Sequence, residues 1–123
     1  MTDDIAPGYS ALISIPMDLA TVAKKIDMGQ YESVGDFKSD FILMCNNAMT
    51  YNAPETVYYA SAKRLLTTGL QIIAKVMLVY SIPYSRKYWR ELNLVVEPKI
   101  AIARILADLN LAVQYRITIR ICE

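Results

Sequence analysis

The chain has 123 residues, 13 basic against 12 acidic side chains, no histidine and two cysteines. That suffices for one small core but not for a broad basic surface, and the missing histidine excludes His-based acid/base catalysis, Ser-His and Cys-His nucleophile pairs and most zinc sites. Two cysteines make neither a disulfide framework nor a Cys-rich metal site, and Cys45, inside a helical pattern, reads as a small buried hydrophobe.

The opening MTDDIAPGYS lacks the basic and apolar regions of a signal peptide, and no apolar run approaches the roughly 18 residues of a spanning helix, so a soluble intracellular protein is expected. Residues 2–16 read as a loop punctuated by Pro7-Gly8 and Pro16. A first helix is expected from about Pro16, with an apolar stripe of Leu19, Val22, Ala23 and Ile26 and a stop at Gly29. Ser33 followed three residues later by Asp36 resembles a capping box, and Phe37, Phe41, Met44, Cys45 and Ala48 repeat at helical spacing behind it. This second helix is expected to end near Tyr51, with Asp36 and Asp40 one turn apart on a solvated face rather than paired for catalysis.

Ala53-Pro54-Glu55 interrupts the pattern, because the residue before a proline is pushed out of the α region. A third helix restarts at Glu55 or Thr56 and carries Tyr59, Ala62, Leu65, Leu66, Gly69, Ile72, Ile73 and Val76 on one face. Glycine there costs about 1 kcal/mol relative to alanine, which marks Gly69 as a close helix crossing. Up to residue 75 there are 6 basic and 8 acidic side chains and beyond it 7 and 4, so a slightly acidic part precedes a basic one. Pro83 should end the third helix, YSRKYWREL is a basic-aromatic patch, and a fourth amphipathic helix is expected over about 98–114 with Ile102, Ile105, Leu106, Leu109 and Val113 on one face. RITIRIC alternates as a strand would.

Asn52 has two readings. Asparagine ends helices and turns chains well. Its amide also offers a donor and an acceptor at the mouth of a helix bundle, ringed by Tyr9, Tyr51 and Tyr58, which suits a neutral amide ligand.

PMDLATVAKKI, FKSDFILMCNNAMTYN and PETVYYASAKRLL, in that order, resemble helices A, B and C of a bromodomain. IAPGYSALISIPMD resembles the second half of the loop leading into helix A, and the pattern is most similar to the group of bromodomain-containing proteins seven and nine. The likeness covers about residues 2–76. It implies an acyl-lysine reader, most often of histone tails. On that resemblance, Asn52 would donate to the acetyl carbonyl, Tyr9 would hold an ordered water against the same oxygen, Tyr58 would flank the lysine stem as gatekeeper, and Ile5, Ala6 and Tyr51 would shape the wall. Acetylation removes the lysine charge, so the stem can enter an apolar slot without the several kcal/mol an unpaired ammonium costs.

The resemblance also implies a preceding helix, Z, and an aromatic-proline shelf, and the chain is expected to lack both. The expected fold is therefore all-α, a bromodomain-like left-handed helical bundle without the usual first helix. Residues 1–79 would form the partial bromodomain and 80–123 an atypical C-terminal extension, whose helix either folds back into the place of helix Z or is unrelated to the bundle. The expected function is non-catalytic acetyl-lysine reading of acetylated histone peptides in the nucleus, within chromatin-remodelling assemblies that regulate transcription. No cofactor, metal or membrane is expected, and there is no strong nucleic-acid signal. The alternative is a helical interaction protein whose degenerate pocket no longer binds acetyl-lysine.

Overall fold

The computed structural model describes residues 7–81 and 98–109. They form five helices: α1 Tyr9–Leu12, α2 Leu19–Asp27, α3 Val34–Tyr51, α4 Val57–Ser81 and α5 Pro98–Asp108. No strand occurs among the described residues, so the described fold is all-α, as expected. YSRKYWREL, Trp89 and RITIRIC lie outside the described residues, as do positions 110–114 of the expected fourth helix.

Each helix end has a local cause. The segment read as a plain loop contains the single turn α1, and α2 begins later than the expected Pro16. Asp18 is its N-cap, extended at φ −146°, with its carboxylate accepting from the Thr21 amide at 2.7 Å. That carboxylate satisfies an amide the helix itself cannot pair, which proline could not do. Gly29, at φ +66°, ends α2 in the left-handed conformation that glycine adopts without a Cβ penalty. Half of the capping box expected at α3 forms as such, with Ser33 Oγ accepting from the Asp36 amide at 3.2 Å, while Asp36 Oδ2 reaches one residue further back and accepts from the Glu32 amide at 3.2 Å.

Phe37, Phe41, Met44, Cys45 and Ala48 on α3 are all buried, facing Ala62, Leu65, Ile73 and Val76 of α4. Met17, with Leu19 and Val22 of α2, completes that side of the core, whereas Ala23, expected in the α2 stripe, is exposed. Gly69 is the crossing point of α3 and α4: a Cβ built there would lie 2.2 Å from Phe41 Cζ. From the far side α5 packs on α4 and α3, placing Ala101, Ile102, Ile105 and Leu109 in the same core as Phe37, Phe41 and Ile73.

Asp40 corrects the expectation of a solvated carboxylate pair. Asp36 is exposed, but Asp40 turns inward, where Oδ2 accepts from Lys25 Nζ at 2.6 Å and from the Tyr31 hydroxyl at 2.8 Å. Lys25 also lies 5.1 Å from the Tyr31 ring centroid, so this trio ties α2, the following turn and α3 together. Burial, the hydrogen bond to Asp40 and the Asp40 charge together raise the Tyr31 pKa well above the ordinary phenol range. Above about pH 10 the unfolded chain releases this proton while the folded chain keeps it, so the contribution of Tyr31 is complete below that pH and declines above it. Phenolate absorbance should accordingly show Tyr31 still protonated above the ordinary phenol range, and Asp40→Asn should bring its titration down. Removing the carboxylate altogether, in Asp40→Ala, should cost about 1–3 kcal/mol in urea unfolding at neutral pH, because the buried hydroxyl loses its acceptor.

Candidate functional site

The residues singled out around Asn52 gather at the C-terminal end of α3. Asn52 is the C-cap of that helix, extended at φ −93° and ψ 137°, and its backbone amide donates to Ala48 O at 3.0 Å. Its side-chain Nδ2 donates to the same carbonyl at 2.9 Å. The capping reading of Asn52 is therefore realised in the fold, and the same bond fixes the plane of the side-chain amide. A primary amide carries two N–H hydrogens and an accepting oxygen, and the Ala48 carbonyl takes one of the hydrogens.

Tyr51, one residue earlier, faces back toward the N-terminal loop. Its hydroxyl donates to Pro7 O at 3.2 Å, and its ring meets that of Tyr9 edge-on, with centroids 5.3 Å apart and planes at 62°. Such edge-to-face pairs contribute about 0.5–1.5 kcal/mol beyond their buried area. Tyr9 is buried and shares a small apolar cluster with Ile13, so the loop has a miniature core of its own seated against α3.

On the other side of Asn52, the turn into α4 is closed by Thr56. Its amide and hydroxyl donate to Ala53 O at 3.0 and 2.7 Å, while its Oγ1 accepts from the Tyr59 amide at 3.2 Å. Threonine thus caps α4, which starts at Val57 rather than at Glu55 or Thr56. Tyr58 is 44% exposed on the first turn while Tyr59 is half-buried, matching the expectation that Tyr59 takes the core-facing place. Val57 and Tyr58 leave apolar surface exposed next to the turn.

The structure therefore brings Tyr9 against Tyr51, puts Asn52 beside them and sets Tyr58 across a short hydrogen-bonded turn. Ile5 and Ala6 lie outside the described residues. Asn47 was not among the expected site residues, yet it is the buried polar side chain of the described core, with Nδ2 donating to Ile15 O at 2.8 Å. A signal for it existed: Asn47 stands four residues before Tyr51, on the face of α3 that meets the loop. Among the described residues, no group of histidine, cysteine or carboxylate side chains could hold a metal ion, and no helix is long and apolar enough to cross a membrane.

The bromodomain family model matches residues 1–64, just over half of the sequence and the stretch that carries this constellation as far as α4. The chain belongs to the bromodomain family. Over 79 residues this bromodomain is 56% identical to bromodomain-containing protein 9 of Xenopus laevis, a match covering 64% of the chain and 15% of that protein. Over 75 residues it is 55% identical to bromodomain-containing protein 9 of Homo sapiens (61% of the chain, 13% of that protein) and 51% identical to bromodomain-containing protein 7 of Gallus gallus (61% and 12%). The matched stretch thus spans no more than 15% of the length of these relatives.

Proposed function

We propose that the bromodomain reads acetylated lysine without catalysis, at the site formed by Asn52, Tyr9, Tyr51 and Tyr58, with Ile5 and Ala6 completing the wall. The observation that carries this reading is the Asn52 side chain, held in one orientation by Ala48 at the end of α3, beside the packed Tyr9–Tyr51 pair. In this reading the Asn52 amide donates to the acetyl carbonyl, Tyr9 holds a water against it, and Tyr58 flanks the lysine stem. The tyrosine and asparagine groups are neutral, which favours the acetylated over the charged side chain. One neutral hydrogen bond contributes only about 0.5–1.5 kcal/mol net, so a single mark should bind with a dissociation constant on the order of ten micromolar to a millimolar.

Residues 1–79 in this proposal supply the family segment, and 80–123 form an extension whose helix α5 takes the bundle position of the family's first helix. Its packing on both α3 and α4 supports that assignment. Histone tails in the nucleus are the proposed partners, within the chromatin-remodelling assemblies that the sequence resemblance implies.

The test is an amide-resolved NMR titration with a multiply acetylated histone H4 tail peptide, beside the unmodified peptide. Shifts around Asn52 and Tyr58 are expected with the acetylated peptide alone. Asn52→Ala should weaken that binding at least about tenfold, since it removes the oriented donor. A folded protein that ignores both peptides would refute the reading and leave an interaction module.

A further inference from the structure

We propose that Asn47 is a positioning residue of this site: its bond to Ile15 holds the 7–17 loop, and Tyr9 with it, in register with Asn52. The inference rests on the acetyl-lysine reading for its consequence on binding, but its structural half stands apart from that reading.

Asn47 Nδ2 reaches the Ile15 carbonyl at 2.8 Å from a residue only 8% exposed. A side-chain amide buried to this degree must be paired, and the Ile15 carbonyl supplies its acceptor without any regular structure in the loop. Four residues further along α3, Tyr51 makes a second attachment through the Pro7 carbonyl and the Tyr9 ring. The two attachments flank α1 and Ile13 in sequence, so the loop is pinned at both ends of the short segment that carries Tyr9. Asn52 follows directly on the same helix. One rigid element, α3, thereby bears both the amide proposed to orient the ligand and the two side chains that fix the opposing wall. Burial of Tyr9, Ile13 and Met17 anchors part of this loop, while the exposed side chains of Leu12 and Ile15 give their stretches no such hold, so the bond at Ile15 adds an attachment where burial supplies none.

The bond at Asn47 is one-directional: the helix donates and the loop accepts. Asn47→Asp keeps the shape but faces a carbonyl with an acceptor, and Asn47→Leu removes the donor without burying a charge.

The experiment compares the two variants with the wild-type chain by NMR, following backbone amides, Tyr9–Tyr51 ring contacts and the acetylated-peptide titration, all well below the melting temperature. The expected result is that α2, α4 and α5 resonances stay in place, residues 7–17 shift, the ring contacts weaken, and affinity falls about tenfold, the equivalent of one hydrogen bond near its upper range. Asn47→Leu decides the case if Asn47→Asp does not fold. Unchanged loop resonances and ring contacts in a folded Asn47→Leu variant would overturn the proposal, as would a displaced loop with undiminished binding. If the wild-type chain binds no acetylated peptide, the acetyl-lysine reading and the consequence for binding both fail. A shifted loop in Asn47→Leu would then still establish the structural half.

Discussion

Ile102→Ala should destabilise the whole folded unit by about 2–5 kcal/mol, the range for deleting a large aliphatic side chain from a closed core. Ile102 is fully buried, at 0% exposure, and Ile105 is equally so. They share their cluster with Phe37 and Phe41 of α3 and Ile73 of α4, so the loss cannot stay within α5. Urea unfolding followed separately by α5 amides and by α3 amides should give coincident transitions, both moved to lower denaturant. The control lies in the same helix: Ile100 is 53% exposed, and Ile100→Ala should change stability by no more than about 0.5 kcal/mol. Early loss of α5 while α3 and α4 keep their wild-type midpoint would show that the helix merely rests on a core complete without it. Domains of this size have only about 5–15 kcal/mol in total, so the larger end of the range would leave little folded protein.

The second large effect is expected at Gly69. Alanine in a helix interior normally stabilises by about 1 kcal/mol relative to glycine. Here the added carbon would sit 2.2 Å from Phe41 Cζ and 2.4 Å from Cε1, and Phe41 is itself buried at 1% exposure, with little room to swing. Overpacking of this kind costs about 1–3 kcal/mol and exceeds the propensity gain whenever the helices must part. Gly69→Ala should therefore lower the melting temperature, and Gly69→Val should lower it further. Adding Phe41→Leu to Gly69→Ala should recover part of the loss, because the ring tip is what the new methyl meets. A melting temperature raised by Gly69→Ala would mean that the two helices separate at little cost.

Local structure was legible because its causes are local. The Ser33–Asp36 cap, the stop at Gly29, the buried stripe from Phe37 to Ala48 and the close crossing at Gly69 each follow from residue type and helical spacing, and each is found. Errors arose where a competing partner lay within a turn or on another element. Asp18 displaced Pro16 as the start of α2 because a carboxylate can accept from Thr21, and Asp40 left the expected solvated face because Lys25 and Tyr31 are brought to it from α2 and the turn beyond.

Around the site the division is similar. Resemblance of the sequence motifs to bromodomain helices implied the family and the candidacy of Asn52, Tyr9, Tyr51 and Tyr58, while helical spacing set the order of the principal helices and which side chains share a face. Only the tertiary structure decided that Tyr51 and Asn47 fasten the N-terminal loop and that α5 enters the main core. Those are contacts between segments up to tens of residues apart, and periodicity within a segment carries no information about which partner it meets. An amphipathic stripe such as Ile102, Ile105 and Leu109 states that a helix must be covered; which helices cover it is settled by packing, where the remaining apolar faces of α3 and α4 are the surfaces left to fill.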